Sequence, residues 1–160
     1  MNYMLPTSNY LRRSLLVNHQ RTLPVVVDQA TRIQEELKSV GASHFGLWKL
    51  ASRYLPHVIH SDEHIGGAVY GRSDREGAVM LLGTDRRIIF LDKKPLFVNE
   101  DEVSYRVVSG VDYSQAGLGC TIRLHTRVKD YEVHTLNKKA ALKFLAYIES
   151  HLLERNSESK

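Results

Sequence analysis

The stretch GAVMLLGTDRRIIF, residues 77–90, decides the fold because it contains two short apolar runs on either side of a polar break. Short apolar runs bounded by turn-forming residues are typical of buried strands. Thr84 and Asp85 can hydrogen-bond their own backbone and so build a turn between the two strands. The stretch therefore predicts a β-hairpin in which Arg87 begins the second strand, where its guanidinium can reach neighbouring carbonyls or a carboxylate.

From residue 64 onward the hydrophobic period is two, and turn-forming residues recur at short intervals. This pattern predicts a β region of short antiparallel strands. Seven strands are expected, near residues 64–71, 77–84, 87–92, 96–98, 104–115, 120–126 and 131–136. In the last strands apolar and polar residues alternate. One face of the sheet is therefore expected to be exposed to solvent, and the other to pack against another element.

The last predicted hairpin gives finer expectations. Cys120 falls in phase with the apolar residues of its strand, and we interpret it as a small core residue. The predicted turn places His125 opposite Glu132 and Arg123 opposite His134. These would be ordinary exposed cross-strand pairs and not a catalytic set.

Amphipathic stripes predict helices on both sides of the β region. Asn137 is suited to cap a C-terminal helix. The apolar stripe of this helix consists of Ala141, Phe144, Leu145, Ile148 and Leu152. Before the β region, one helix is expected between Thr22 and Gly41 and a second one after a cap at Ser43. The two make a helical hairpin, with Gly41 as the left-handed residue that ends the first helix.

Together these patterns predict an α+β fold, in which an N-terminal helical hairpin is followed by a small antiparallel barrel of about seven strands capped by a C-terminal helix. Three segments are expected along the chain. Residues 1–21 form a flexible basic arm, residues 22–59 the helical hairpin, and residues 60–155 the β domain with its closing helix.

Length and composition limit the possible functions. The 160 residues, of which 42% are hydrophobic and 25% charged, fit one packed domain. Arg12, Arg13 and Arg21 supply three of the four net positive charges, and the +1 that remains is too small to predict a nucleic-acid partner. One cysteine and only short apolar runs predict a reducing, cytoplasmic setting without secretion or membrane spanning.

Three stretches resemble a known family: HSDEHI at residues 60–65, the hairpin at 77–90 with its Thr-Asp-x-Arg turn, and VSYRVVSGV at 103–111. Over about residues 58–154 the sequence resembles the bacterial pleckstrin-homology-like (PH-like) proteins of the YokE type. The resemblance implies that residues 60–155 are a PH-like domain. It also implies a non-enzymatic interaction module without a cofactor, which mediates contacts with a protein partner or self-assembly into a homo-oligomer.

Candidate binding residues are the basic side chains near the predicted turns: Arg72, Arg75, Arg86, Arg87, Lys93 and Lys94. PH domains that grip phosphoinositides resemble one another in a basic first-hairpin loop. In this sequence Asp74 and Glu76 lie beside Arg72 and Arg75, so the local charge cancels. The alternative function is therefore weak peripheral binding of anionic membrane lipid, through the arm and the loop at residues 93–94.

A metal- or thiol-dependent enzyme is the second alternative. His57, His60 and His64 are suitable donors for a divalent ion, but their spacing across a helix end and a turn does not fix a shared geometry. Cys120 would need a depressed pKa and a nearby base to act as a nucleophile. The sequence contains no phosphate loop, nucleophile elbow or dinucleotide glycine pattern, so it predicts neither a metal site nor a catalytic set.

Overall fold

The structure of the chain is a computed structural model that describes residues 28–42 and 48–158. The predicted arm at residues 1–21, the first part of the helical hairpin and the cap at Ser43 lie outside the described residues. The elements along the chain are α1 (Gln29–Ser39), α2 (Trp48–Val58), β1 (Ile65–Ser73), β2 (Gly77–Thr84), β3 (Ile88–Lys93), β4 (Val98–Val103), a 3₁₀ turn (Tyr105–Val107), β5 (Val108–Ala116), β6 (Gly119–Thr126), β7 (Tyr131–Thr135) and α3 (Lys138–Glu158).

The seven strands form one sheet in the order β4-β3-β2-β1-β7-β6-β5. Every neighbouring pair in this order is antiparallel. Two helices precede the sheet and one follows it. The predicted α+β, PH-like fold class is therefore confirmed. Gly41, with φ at +84°, follows the end of α1 in the left-handed conformation that was expected there.

The strand predicted at residues 96–98 is wrong. Residues 94–97 form a turn instead, in which the Lys94 N–H donates to the Phe97 carbonyl at 2.9 Å. Pro95 favours this turn because it has no N–H to offer a neighbouring strand. The strand that pairs with β3 is β4, which begins at the end of the predicted segment and continues through an acidic stretch that the hydrophobic pattern did not mark.

The strand predicted over residues 104–115 is in part wrong. Its first residues wind into the 3₁₀ turn, because the Ser104 side chain accepts a hydrogen bond from the Arg106 N–H at 3.3 Å. A hydroxyl that bonds a nearby backbone N–H offers the chain an alternative to strand pairing. The turn carries the chain from β4, at one edge of the sheet, to β5 at the other.

The predicted cross-strand pairs between β6 and β7 are also wrong. Arg123 lies opposite Glu132, and His134 lies opposite Thr121. The connecting loop begins earlier than the turn that was assumed. Thr126 Oγ1 accepts hydrogen bonds from the backbone N–H groups two and three residues further on, at 3.2 and 3.1 Å. This local bonding shifts the register by two residues.

Strands β1, β2 and β3 are buried on both faces. On one face they pack against α1 and α2 in a first core that includes Ile33 and Leu55. On the other face they meet β6, β7 and α3 in a second core that includes Ile122 and Phe144. Burial on both faces explains why the sequences of these strands are nearly continuous runs of apolar residues. The predicted division of the chain at residue 60 stays a proposal, since both sides of it contribute to the first core.

Helix α3 covers the second core. Asn137 caps it as predicted, with its Oδ1 accepting the Ala140 N–H at 3.1 Å. Ile148 is fully buried, whereas Leu145 is only partly buried. A Cβ added to Gly83 on β2 would lie 2.9 Å from Ile148 Cδ1, so the helix rests directly on the strand.

Gly71 permits the corner at which the sheet turns from β1 to β7. A Cβ at this position would lie 2.1 Å from the carbonyl oxygen of His134, a distance that no side chain tolerates. The two strands meet where Arg72 lies opposite His134. A glycine is therefore required for the close approach that joins β1–β4 to β5–β7.

Truncation of Ile148 to Ala should lower the free energy of unfolding by about 2 to 5 kcal/mol, because it leaves a cavity in the second core. Leu153→Ala is the control, since that side chain on the same helix is 69% exposed and surface changes usually stay within about 0.5 kcal/mol. Urea unfolding of both variants measures the contrast. Equal losses would contradict the packing of α3 described above.

Candidate functional site

Four of the six predicted basic residues lie at one end of the sheet. They are Arg72, Arg75, Lys93 and Lys94. The β1–β2 and β3–β4 turns project from the same end because the strands between them are antiparallel. The Lys94 ammonium donates to the Glu76 carbonyl at 2.7 Å and so joins the two turns. We call residues 72–76 and 93–97 the basic end.

The β3–β4 turn exposes apolar side chains at the basic end. Leu96 is 96% exposed and Phe97 is 52% exposed. The Lys94 ammonium lies 4.7 Å from the Phe97 ring centroid, and the Lys93 ammonium lies 5.5 Å from that of Tyr54 on α2. Both contacts are cation–π interactions. The turn is therefore an apolar tip with positive charge at its base.

A cavity of about 150 Å³ lies behind this turn, between α2 and the sheet. Its wall is largely apolar, with Leu50, Ala51 and Leu91 among its residues, and Lys93 and Lys94 also line it. A cavity of this volume is the size that admits a benzene molecule. It can take one small apolar group but not a nucleotide or an inositol phosphate.

The other two predicted basic residues lie at the opposite end of the sheet, beside the β2–β3 turn. Arg86 pairs with Asp62. Arg87 Nε and Nη2 each lie 3.0 Å from an oxygen of the Glu63 carboxylate. Nη2 also donates to the Val58 carbonyl at 2.9 Å. Arg87 therefore reaches both a carbonyl and a carboxylate, and it joins the end of α2 to the sheet.

Glu63 is the buried centre of this contact, with none of its surface exposed. Besides Arg87, it accepts hydrogen bonds from the Thr84 hydroxyl at 2.7 Å and from the His60 N–H at 3.0 Å. Burial alone would raise the pKa of Glu63, but the hydrogen bonds from Arg87, His60 and Thr84 outweigh burial and lower its pKa. The same pairing raises the pKa of Arg87. The pair is therefore charged at neutral pH.

Thr84 builds the β2–β3 turn as predicted. Its hydroxyl oxygen accepts the N–H groups of Arg86 and Arg87 at 3.2 and 3.0 Å. Asp85 has a different role from the one expected, because its Oδ1 accepts the His64 N–H at 3.0 Å. The turn is thereby attached to the start of β1.

The three histidines considered as metal donors belong to the junction between the helices and the sheet. His57 is exposed on α2, with its ring centroid 5.5 Å from that of Tyr54. His60 is exposed, and its backbone N–H donates to the Glu63 carboxylate. His64 is exposed, and its Nδ1 lies 2.8 Å from Glu36 Oε1 on α1. Their described contacts are those of polar residues at a helix-to-strand junction.

Within the described part of the chain, one group of three side chains is close enough to hold an ion, and it contains none of those histidines. It consists of Asp74, Glu132 and His134. Asp74 is exposed and the other two are partly exposed. Glu132 is already paired with Arg123. Because exposed and paired groups of this kind are common, the cluster does not define a site.

Cys120 is a core residue, as predicted. Its side chain belongs to the second core, and its Sγ lies 3.7 Å from the Thr135 carbonyl oxygen. Burial raises the pKa of the Cys120 thiol, and a hydrogen bond with Tyr113 opposes this only in part. The thiolate needed by a nucleophile is therefore disfavoured.

The two edges of the sheet differ in charge. β4 has three consecutive acidic residues at positions 100–102, whereas Asp112 is the only charged residue among the nine of β5. No strand within residues 28–42 and 48–158 pairs with the outer side of β5. Charged edges resist pairing with another strand, and long uncharged edges favour it. Of the two edges, β5 is therefore the more open to a further strand, along residues 110–116 beyond the bulge at its start.

Partly exposed apolar side chains lie beside the β5 edge. Val111 and Tyr113 on β5, and Leu145 and Leu152 on α3, are packed against the second core without being fully buried. Helix α3 is in contact with β5. A strand added to this edge would find apolar surface to bury as well as backbone groups to pair with.

The sequence alone did not reveal two parts of this arrangement. The burial of Glu63 was not predicted, because nothing local to it in the sequence shows that the β2–β3 turn folds back over it. The open edge was missed because strand order depends on contacts between distant segments. The available signal was the low charge of residues 108–116.

A seven-stranded antiparallel sheet with a closing C-terminal helix, and with cations and apolar side chains on its turns, supports the class of PH-like binding modules. The sequence model of the bacterial PH domain family matches residues 59–150. This match covers more than half of the 160 residues. The chain belongs to the bacterial PH domain family.

Two solved structures are similar to the chain. One is a pleckstrin homology domain from Shewanella amazonensis SB2B, with 17% identity, a TM-score of 0.46, and coverage of 68% of this chain and 99% of that one. The other is a DUF1696 family protein with a pleckstrin-homology domain from Shewanella loihica PV-4, with 17% identity, a TM-score of 0.39, and coverage of 69% and 97%. No curated protein matches the sequence. Among the described residues, no helix is long and apolar enough to cross a membrane.

Glu63→Gln should lower the free energy of unfolding at neutral pH by about 3 to 5 kcal/mol, because an amide NH₂ would face other donors and leave the Arg87 charge without its buried partner. Asp62→Asn is the matched control, since the Asp62–Arg86 pair is exposed and its loss should matter far less. Urea unfolding at about pH 7 measures both variants.

The same variant has an expected pH dependence. The pKa of Glu63 is lowered from its ordinary value of 4.5. The ionised carboxylate therefore makes its full contribution to the free energy of unfolding above pH 4.5, and this contribution is lost as the pH falls through the lowered pKa. The difference in stability between wild type and Glu63→Gln should therefore shrink on acidification. A difference that stays constant to about pH 2, which lies below the ordinary pKa range of carboxyl groups, would contradict the buried, charged pair.

Proposed function

We propose that the chain is a non-catalytic PH-like interaction module that binds another protein, in the first instance a second copy of itself, by adding a strand at the β5 edge. The observation that supports this proposal is the contrast between the two edges, since β4 is acidic and β5 is nearly uncharged over nine residues. Strand addition at an open sheet edge is a common way for a domain to recognise a protein chain.

The chemistry of the described residues favours binding over catalysis. The one cysteine is buried with a raised thiol pKa. Glu63, whose pKa is lowered, is enclosed by structural partners that leave it no contact with solvent. Perturbed groups at active sites usually line a cleft that a substrate can reach. A metal- or thiol-dependent enzyme is therefore the less favoured function.

Self-association can be tested with charges on the edge. Ser109→Lys/Gln115→Lys places one lysine near each end of the β5 edge. Lysine side chains on an edge strand resist its pairing with another strand. The variant should be monomeric at about 100 μM, a concentration at which the wild type should dimerise even with modest affinity. Light scattering measures the mass.

Ser150→Lys/Ser157→Lys is the matched control, because it adds the same charge at exposed positions on α3. This variant should associate as the wild type does. A wild type that is monomeric at the same concentration would overturn the proposal.

A second candidate function is weak binding to anionic membrane lipid, and the apolar tip of the basic end favours it. Leu96 and Phe97 can enter the headgroup region, while Lys93 attracts anionic lipids. The attraction is weak, because Lys94 is paired with Asp92 and Arg75 lies between Asp74 and Glu76. The contact would be head-group-indifferent, since the small cavity behind the tip does not fit an inositol phosphate. Arg86 and Arg87, at the other end of the sheet, take no part in it.

Leu96→Ser should weaken binding to vesicles that contain phosphatidylserine, because it removes the most exposed apolar side chain of the tip. Leu118→Ser, at the β5–β6 turn with 88% exposure, is the control and should bind as the wild type does. Vesicle sedimentation at low and high salt measures both, and binding should fall as salt screens the cations. Tight binding of one phosphoinositide that survives high salt would contradict this function.

A further inference from the structure

The cavity of about 150 Å³ between α2 and the sheet combines apolar walls with charged side chains. Ala51 on α2 and Ala78 on β2 both line it, and these short side chains leave space that longer ones would fill. Leu91, which is fully buried, forms part of the same wall. A cavity of this volume in a protein core is known to bind benzene. The space therefore fits an apolar group about as large as a benzene ring.

The β3–β4 turn forms one wall of the cavity, and hydrogen bonds hold this turn in place. The Lys94 ammonium donates to Asp92 Oδ2 at 2.8 Å and to the Glu76 carbonyl at 2.7 Å. The Lys94 N–H donates to the Phe97 carbonyl at 2.9 Å within the turn. A small ligand that enters a preformed cavity does not have to order a loop, so it binds without that entropic cost.

Lys93 is the cation of this wall that is available to a ligand. Lys94 is neutralised by Asp92. The Lys93 ammonium donates to the Lys94 carbonyl at 3.0 Å and lies 5.5 Å from the centroid of the Tyr54 ring. Neither contact neutralises its charge, and no acidic side chain among the described residues pairs with it. An ammonium can donate more than one hydrogen bond, so Lys93 can also donate to a ligand.

We propose that this cavity binds a small apolar carboxylate, whose hydrocarbon body lies between α2 and the sheet and whose carboxylate pairs with Lys93. One ammonium without an acidic partner matches a monoanion, whereas a phosphate monoester carries more charge than Lys93 can neutralise. An amine in the same place would be repelled by Lys93 and Lys94. The cavity is separate from the β5 edge and from the exposed tip, so this inference goes beyond both functions proposed above and does not depend on either.

Titration of the full chain with benzoate, benzamide and benzamidine tests the charge preference. The compounds share a ring and a planar head group, but their charges are negative, zero and positive at about pH 7. Benzoate should bind with a dissociation constant of about 1 mM, as expected for so few atoms. Benzamide should bind about 5-fold or more weakly, because it lacks the charge-assisted hydrogen bond, and benzamidine should bind most weakly. Amide chemical shifts in NMR spectra at constant ionic strength measure each constant.

Lys93→Met tests the role of the cation, since methionine keeps an unbranched apolar chain without the charge. Benzoate should bind this variant no more tightly than benzamide does. Lys139→Met is the matched control, because this lysine is exposed on α3. The control variant should keep the preference of the wild type for benzoate.

Ala51→Leu tests the cavity itself, because the longer side chain would occupy the space between α2 and the sheet. Benzoate binding should weaken by about 10-fold or more. Ala78→Leu fills the cavity from β2 and should have the same effect, so a folding failure of one variant leaves the other. Ala146→Leu, at an exposed position on α3, is the matched control and should bind benzoate as the wild type does. Circular dichroism shows which variants are folded.

The possible results separate the parts of the proposal. Equal affinities for benzoate and benzamide, or a preference for benzoate that survives Lys93→Met, overturn the pairing of the carboxylate with Lys93. Undiminished binding to a folded Ala51→Leu or Ala78→Leu variant overturns the placement in this cavity. If neither variant folds, Lys93→Met decides the location. Absence of benzoate binding at about 10 mM overturns the proposal as a whole. A monomeric wild type would overturn pairing through β5 but would leave this site standing.

Discussion

The buried ion pair between Glu63 and Arg87 is the contact on which the arrangement of helices and sheet depends. Glu63 lies between α2 and β1, and Arg87 lies between the β2–β3 turn and β3, so their hydrogen bonds set the position of the helical layer on the sheet. Arg32 on α1 adds to the same junction by donating to the Glu63 carbonyl at 2.7 Å. A buried charge that loses its partner costs several kcal/mol, which makes this geometry obligatory once the segments meet.

The junction gives the molecule two ends with different roles. At one end Arg86 and Arg87 are engaged by Asp62, Glu63 and the Val58 carbonyl. At the other end the turns present cations and apolar side chains to solvent. Because helices cover one face of β1–β3 and α3 covers the second core, the basic end and the β5 edge are the surfaces, among the described residues, that we propose for a partner.

Local patterns were sufficient to predict the elements but not the contacts between them. The hairpin at residues 77–90, the cap at Asn137 and the core position of Cys120 follow from nearest neighbours in sequence, and each is confirmed. The strand at 96–98 was wrong because apolar residues can also belong to an exposed turn. β4 was not predicted as a strand because its acidic composition does not indicate one. It forms a strand because it pairs with β3.

The requirement for a glycine at residue 71 has a consequence for the order of folding. Apart from β1 with β7, every strand pair among the described residues joins neighbours in the chain and can form as a hairpin or meander. Pairing of β1 with β7 closes a loop of about sixty residues, and such a closure carries a larger entropic cost than any hairpin. We therefore expect β1–β4 and β5–β7 to form as two separate meanders, and their meeting at Gly71 to limit the folding rate.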